Sequence, residues 1–472
     1  MRVIVQRIVI VFLLGIYMAS CSSDDKNGLE PVVDVLKVED GEEFAGGETS
    51  VFDTSPNAFG FVARNVGNDQ LTDFAVGNSL FNQNWVSSPA STTARDGLGP
   101  FFNSRSCSGC HFKDGRGRSP EFFGALSHGL LLRLSISEID AFGKNLGDPI
   151  YGGQFQDQSI LGIQKEGDFS IQYQEKKITY PDGEVVKLRV PTYVFSNLNY
   201  GILDGKTKIS PRVANQMIGL GLLEAISEQD LKFNIDENDR NNDGVSGRVN
   251  MVFDSAQNKK VIGRFGWKAN QPNIKQQVAG AFAGDLGITS NLFPEENCTK
   301  GVNCNEIPNG GTPELDEESL EAVAFYSSTL AVPVRRNFDL QTVLQGKKIF
   351  VNAKCTSCHV AKYKTGSHPI KALENQLIFP YTDLLLHDMG EALADNASDF
   401  EATGNEWRTP PLWGIGLIKT VNKHTELLHD GRARNVEEAI LWHGGEAKNA
   451  KNNFMKLSKL DRQKVITFIN TL

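Results

Sequence analysis

The chain has 472 residues, 22% of them charged, and a formal net charge of −9. An acidic balance of this kind argues against nucleic acid as a partner, because phosphate backbones are held by basic surfaces. The length is enough for two or three domains.

Residues 1–20 read as an export signal. Arg2 and Arg7 form a positive start, an apolar run covers residues 8–17, and Met18-Ala19-Ser20-Cys21 places small residues before a cysteine. The run is too short for a comfortable transmembrane helix. It is similar to a bacterial lipoprotein signal, with Cys21 as the lipidated residue. An ordinary cleaved signal with an incidental cysteine is the plainer alternative. Either reading takes the chain out of the cytoplasm, and the lipoprotein reading predicts a protein of the cell envelope, facing the periplasm or on the outer-membrane surface, tied to the membrane through an N-terminal lipid. Loss of residues 1–20 removes Arg2 and Arg7 and leaves a formal charge of −11. Residues 21–77 are acidic, glycine-rich and weakly periodic, which predicts a tether followed by an N-terminal wrap.

Two copies of Cys-x-x-Cys-His follow, at Cys107-Ser108-Gly109-Cys110-His111 and Cys355-Thr356-Ser357-Cys358-His359. This is the attachment pattern of c-type haem: two thiols for the vinyl groups and an adjacent imidazole for the iron. A redox Cys-x-x-Cys and half of a zinc site are the competing readings, but zinc pairs usually recur within about 15–20 residues, and here 244 residues lie between Cys110 and Cys355. Two covalently bound haems are therefore expected. Of the other cysteines, Cys298 and Cys304 share a short polar loop, where an oxidising compartment favours a disulfide over two free thiols.

The two motif regions, residues 78–331 and 332–472, read as diverged copies of one domain. Gly97-Leu98-Gly99-Pro100-Phe101-Phe102-Asn103 before the first motif pairs with Gly346-Lys347-Lys348-Ile349-Phe350-Val351-Asn352 before the second. Residues 315–330 align without gaps on 457–472, with apolar spacing of three and four in both. A terminal amphipathic helix on the haem-motif helix is the arrangement of small cytochrome c domains. Residues 177–188 alternate around Pro181-Asp182-Gly183, a β-hairpin signal. The expected fold class is mainly α, with two cytochrome c-like haem domains and a few added β-strands. Asp239-x-Asn241-x-Asp243-Gly244 matches the first half of a calcium loop, but position twelve is Asn250 instead of a bidentate Glu. Calcium and a plain Asx-turn loop both remain open.

Five segments together resemble a known family: residues 97–117 (GLGPFFNSRSCSGCHFKDGRG), 219–226 (GLGLLEAI), 242–248 (NDGVSGR), 263–269 (GRFGWKA) and 381–390 (YTDLLLHDMG). They are similar to the dihaem oxidoreductases, envelope proteins sometimes called thiol oxidoreductases and related to dihaem cytochrome c peroxidases. The resemblance implies that one haem takes electrons from a donor while the other reduces hydrogen peroxide or a similar oxidant. Leu428-His429-Asp430-Gly431 resembles the superfamily's His-Asp-Gly turn, and a distal iron ligand follows the next helix. That position here is His443, with His387 and Met389 as rivals. His128 stands at a spacing where some relatives supply a displaceable ligand. Trp267 matches an indole relay between the haems, although a packing role is equally open. Peroxide cleavage needs a base and a polar group to hold the substrate. Gln154, Gln156 and Glu224 are the candidates. Glu224 stands out as an acid among apolar residues, with an ion pair to Arg212 or Arg264 as the plainer explanation.

The leading function is a peroxidase-like dihaem oxidoreductase supplied by a redox protein such as a small cytochrome. The alternative is a non-enzymatic dihaem electron carrier. With haem, lipid and disulfide accounted for, no cysteine is left for thiol chemistry.

Overall fold

A computed structural model of the chain describes residues 36–120 and 129–472. Cys21, the export signal and His128 lie outside the described residues. In chain order, the elements that position the site begin with helix α1 (Leu71–Asn82), the one-turn helix α2 (Cys107–Cys110) and strand β1 (Leu130–Ser135). Strands β2 (Gln154–Phe155), β3 (Asp168–Thr179), β4 (Val185–Ser196) and β5 (Lys208–Val213) follow. Helices α3 (Leu220–Glu224), α4 (Ile274–Ala281), α5 (Glu317–Thr329) and α6 (Gln341–Asn352) come next. Strands β6 (Leu386–Asp388) and β7 (Glu406–Arg408) precede helices α7 (Val436–Trp442) and α8 (Lys459–Ile469).

Helix makes up 29% and strand 18% of the structure, so the fold is mixed, not mainly α. The extra strand content has two sources. The β3–β4 hairpin runs in register over 12 pairs, from Asp168 opposite Ser196 to Thr179 opposite Val185, and extends well past the segment around Pro181-Asp182-Gly183. A three-stranded antiparallel sheet, β2-β1-β5, lies beside it. One face of that sheet is apolar: Leu130, Leu132, Leu134, Phe155 and Val213 are buried.

The duplication is visible in the helix pairs. α1 crosses α5 in the first copy, and α6 crosses α8 in the second. Asp316 caps α5 by accepting from Ser319 N, and Ser458 caps α8 by accepting from Asp461 N, at positions that match in the ungapped alignment. Each crossing is made close by a glycine. A Cβ on Gly77 would collide with the Ala322 carbonyl and lie 2.6 Å from Tyr326 Cβ. A Cβ on Gly346 would collide with the Lys464 carbonyl and lie 2.9 Å from Phe468 Cβ. The counterpart of the Gly346 helix is thus α1, with Gly77 and Phe81, and not the Gly97 segment. Residues 83–106, inserted between α1 and the first motif, hide that match in the sequence. The copies diverge where the hairpin docks. Leu320 of α5 is replaced in α8 by Arg462, which stacks 3.8 Å from the Tyr180 ring and pairs with Asp182 and Glu184.

The halves interlock. Leu130, Tyr180, Leu188, Val213 and Trp267 enter the core around α6 and α8, while Trp413, Leu417 and Val421 enter the core around α1 and α5. Gly219 and Gly414, both at positive φ, pack against Trp413 and Ile218 respectively. This reciprocal contact between equivalent positions has the logic of a two-fold interface. The segment from Glu39 to Val66 straps both halves. Glu42 accepts from Lys347 at 2.8 Å and pairs with Arg335, and Val62 bridges Leu330. No helix of the described residues is long and apolar enough to cross a membrane.

Candidate functional site

The second motif opens where α6 ends. Lys354, at φ 68°, turns the chain into Cys355. The His359 ring lies 6.2 Å from Phe350, and its Nδ1 is 2.9 Å from the Tyr381 carbonyl. An Nδ1–H given to a carbonyl leaves Nε2 as the lone-pair nitrogen, the tautomer that a metal ligand needs. Opposite, α7 ends at His443, whose Nδ1 is 2.7 Å from the Ala439 carbonyl. Cys355, Cys358, His359, Met389 and His443 line one cavity of about 610 Å³. Burial lowers His359 and takes His443 down to about 4, so both imidazoles are neutral. His387 is excluded as a ligand by its own bonds: Nε2 to Asp383 at 2.8 Å and Nδ1 to Glu446 at 2.7 Å. Burial alone would lower it, but Asp383 and Cys358 together outweigh burial and hold it well above its ordinary value.

The cavity wall fits a large apolar group with a polar edge. His429 stacks on Trp407 with centroids 3.8 Å apart, and its Nδ1 is 2.9 Å from the Pro211 carbonyl. Its Nε2 is buried without a hydrogen-bond partner among the described residues, and the residue lines the cavity. A bare polar atom on such a wall requires a partner from the group that fills it.

At the first motif Ser106 caps α2, accepting from Gly109 N at 3.1 Å. His111 repeats the geometry of His359, with Phe81 at 6.1 Å and Nδ1 2.6 Å from the Asn215 carbonyl. Burial lowers it to about 4. Burial first, and the Asp285 charge second, push Cys107 and Cys110 up to about 12. Thiols held this high are not poised as a thiolate redox pair, which favours the attachment reading.

Asp285 belongs to a single π-type turn, Phe282–Leu286, that ends α4. Its carbonyl accepts from Asn103 N at 2.8 Å and Ser104 N at 3.2 Å, locking the turn to the segment that enters the first motif. Its carboxylate accepts from Gln154 Nε2 at 2.9 Å. The same amide nitrogen reaches Asn103 Oδ1 at 2.6 Å and the Gly284 carbonyl at 3.0 Å, while Gln156 Nε2 reaches Gly284 O at 2.9 Å. Burial raises Asp285, opposed by Arg133 and Gln154. Behind this cluster, Glu166 accepts from Gln156 N and from Thr299 Oγ1, both at 2.5 Å. Burial pushes it up to about 8. Thr299 sits inside the loop closed by the Cys298–Cys304 disulfide.

The family described as "Di-haem oxidoreductase, putative peroxidase" matches residues 40–472. The chain belongs to the di-haem oxidoreductase family. No curated protein matches it. Among solved structures, the crystal structure of a MauG-like protein associated with microbial copper homeostasis is 14% identical. That match covers 52% of this chain and 90% of that one at a TM-score of 0.26, too loose to bear on the site.

A di-haem oxidoreductase carries haem cofactors; the cavity at the second motif fits one, and at the first motif His111 is fixed through Nδ1 in the same way. Gln154 and Gln156 gather with Asp285 beside the segment that enters the first motif. Glu224 does not. Its Oε1 accepts from Ile274 N at 2.8 Å at the start of α4, and its Oε2 is 3.0 Å from His368 Nε2. It is a helix-terminus anchor with a histidine partner; of the two arginines expected as partners, Arg264 donates to the Leu223 and Ile226 carbonyls and feels the Glu224 charge without a direct pair among the described residues. Arg212 pairs with Asp399 instead. Trp267 is buried, lines the 610 Å³ cavity and donates to the Val213 carbonyl at 2.8 Å, two residues before the Asn215 that holds His111. The indole therefore lines the second site and is linked through residues 213–215 to the carbonyl that holds His111. The Asp239–Gly244 loop closes on itself: Asp239 accepts from Asp243 N and Gly244 N, Asn241 from Asp243 N, and Asp243 from Val245 N. Asn250 is fully buried and bonded to Lys268 O, Asp399 O and Glu401 N, so the twelfth position cannot turn to a cation. Sequence reasoning missed Asp285, Glu166, Arg133 and His429's bare nitrogen. Only the Gly-Asp pair ending an apolar helix pointed at Asp285.

Proposed function

We propose that this protein is an envelope peroxidase with two covalently attached c-type haems, one on Cys107, Cys110 and His111 and the other on Cys355, Cys358 and His359. The observation that carries the reading is the inequality of the two sites. The second offers two neutral imidazoles, His359 and His443, across one cavity, which suits a closed electron-entry centre. The first offers a carboxylate and an amide, Asp285 and Gln154, bonded to each other and to the segment entering the motif. Among the described residues His368 is engaged with Glu224, His387 with Asp383 and Glu446, and His424 with Arg116 O and Glu426 N, while His429, held through Nδ1 by Pro211 O, lines the second cavity. When bound, the haems supply two one-electron stores and a redox-active metal at each site. Asp285 takes the proton from one peroxide oxygen and delivers it to the other, and Gln154 orients the substrate. Trp267 bridges the sites.

Electrons come from a small redox protein, and Cys21 carries a lipid that keeps the enzyme at the membrane. Mass measurement of the N-terminal peptide tests the lipid; an unmodified Cys21 removes it. The catalytic reading is tested by stopped-flow mixing of half-reduced protein with hydrogen peroxide. Asp285→Asn should slow oxidation by about 100-fold or more with the absorption spectra intact. An Asp285→Asn protein as fast as wild type contradicts the assignment.

A further inference from the structure

The polar face of the β2-β1-β5 sheet holds a charge that the proposed chemistry has not used. Directly opposed residues of an antiparallel ladder share a face. Arg133 stands opposite both Gln154 and Ser210, and Leu131 opposite Arg212. The neighbours on this face are satisfied. Ser210 donates to Asp395, Arg212 pairs with Asp399 at 2.9 Å, and Gln154 Nε2 faces three oxygens. Those three oxygens also fix the orientation of the Gln154 amide, because only its nitrogen can donate to them.

Two groups on the face are left without partners. Gln154 is 2% exposed, and its Oε1 is buried with no hydrogen bond among the described residues. Arg133 feels the charges of Asp285 and Asp399 at longer range but makes no ion pair among the described residues. The two converge on one small space. A Cβ built on Gly284 would lie 3.7 Å from Gln154 Oε1, 3.7 Å from Arg133 Nη1 and 3.8 Å from Arg133 Nη2. Glycine at 284 keeps that space clear, and residue 285 contributes the carboxylate. An unpaired cation, a bare acceptor and a carboxylate around one opening form a site for a small molecule with one O–H to donate and one oxygen on which negative charge develops. Hydrogen peroxide has both.

We infer that Arg133 is a further catalytic residue of the peroxide site, binding the departing oxygen while Gln154 Oε1 accepts the substrate's O–H. This rests on the peroxidase reading above. Asp285 removes the proton from one peroxide oxygen, and the O–O bond breaks as two electrons enter from the haem pair. The departing oxygen keeps its own hydrogen, takes that proton and leaves as water. The retained oxygen, stripped of its hydrogen, takes both of its protons from solvent, so one peroxide, two electrons and two solvent protons give two waters. The guanidinium opposes the negative charge on the departing oxygen before that proton arrives.

The leaving group tests this. Acetate departs from peracetic acid with little need of help, whereas hydroxide departs from hydrogen peroxide with great need. In half-reduced protein, Arg133→Gln should slow hydrogen peroxide by about 100-fold and peracetic acid by less than about tenfold. Arg133→Lys, which keeps the charge, should retain more than about a tenth of the wild-type rate. A readout free of turnover is fluoride binding, followed spectrally. Wild type should bind fluoride about tenfold tighter than a free c-type haem peptide, and Arg133→Gln should lose that advantage. Equal slowing with both peroxides, or an unchanged peroxide rate with a shifted haem potential, would assign Arg133 to a haem propionate and overturn the proposal. So would a wild type that binds fluoride no tighter than the peptide, an arm that holds even if Arg133→Gln fails to load haem. A wild type inert to both peroxides overturns the peroxidase reading itself. An active wild type indifferent to Arg133 overturns only this assignment.

Discussion

Glu224 and Glu166 both accept hydrogen bonds, but Glu224 is partly exposed at a helix start whereas Glu166 is buried. Glu224 anchors the first turn of α4 and meets His368. Glu224→Ala should lower stability by about 1–3 kcal/mol in denaturant titrations, while the peroxide rate stays within about threefold of wild type. A rate collapse without destabilisation would restore it to the active site. Glu166 keeps its proton to about 8 because burial outweighs the help of Thr299 and Gln156. Its folded value lies above its unfolded one, so the native state binds the extra proton between about pH 4.5 and 8. Its contribution to stability is full below that window and falls by about 1.4 kcal/mol per pH unit across it. Denaturation of Glu166→Gln at pH 5 to 8 should show this slope removed; an identical slope in both proteins contradicts it. The sequence around Glu224 shows an acid among Leu and Ile and hides the helix start that arrives 50 residues later. Asp285 was hidden for the converse reason, since its partners Asn103 and Gln154 come from distant segments.

At the scale of elements, the helix crossings decide which segments are equivalent. The likeness of residues 315–330 and 457–472 was legible because it is ungapped and its apolar spacing repeats, and α5 and α8 match to the capping residue. The partner helix was not legible, because only Gly77 and Phe81 of α1 survive from the Gly346 and Phe350 pattern, and an insertion separates them from the motif. The hairpin was legible at its turn but not in its length, since the outer strand residues are polar on one side. The crossing geometry makes a prediction of its own. Gly346→Ala gains helix propensity, yet its Cβ must displace the Lys464 backbone. Overpacking of this kind costs about 1–3 kcal/mol, and thermal unfolding of the haem-loaded variant should show a lowered midpoint. A raised midpoint would mean that α6 and α8 pass further apart than described.

Across the whole molecule, the two copies share cores and meet through reciprocal contacts, yet their sites have opposite character. The two Cys-x-x-Cys-His motifs stand out by spacing, and His443 was singled out by the resemblance of the His-Asp-Gly turn; the structure brings it to the cavity that Cys355, Cys358 and His359 line. The first site's character was not readable, because the carboxylate, the amides and the unpaired arginine come from three separate stretches joined by a small sheet. What the copies share is a pair of crossing helices and an imidazole fixed through Nδ1. What separates them is the polar surroundings: His443 lines the cavity with His359 at the second site, and the Asp285, Gln154 and Arg133 cluster lies beside the segment entering the first motif. The most direct test is paramagnetic resonance and near-infrared magnetic circular dichroism of the haem-loaded protein, fully oxidised and half-reduced. The account predicts a low-spin, bis-histidine second haem, lost on His443→Ala, and a first haem that is high-spin in the half-reduced protein. Two low-spin haems in both states, or a second haem unchanged by His443→Ala, would contradict it.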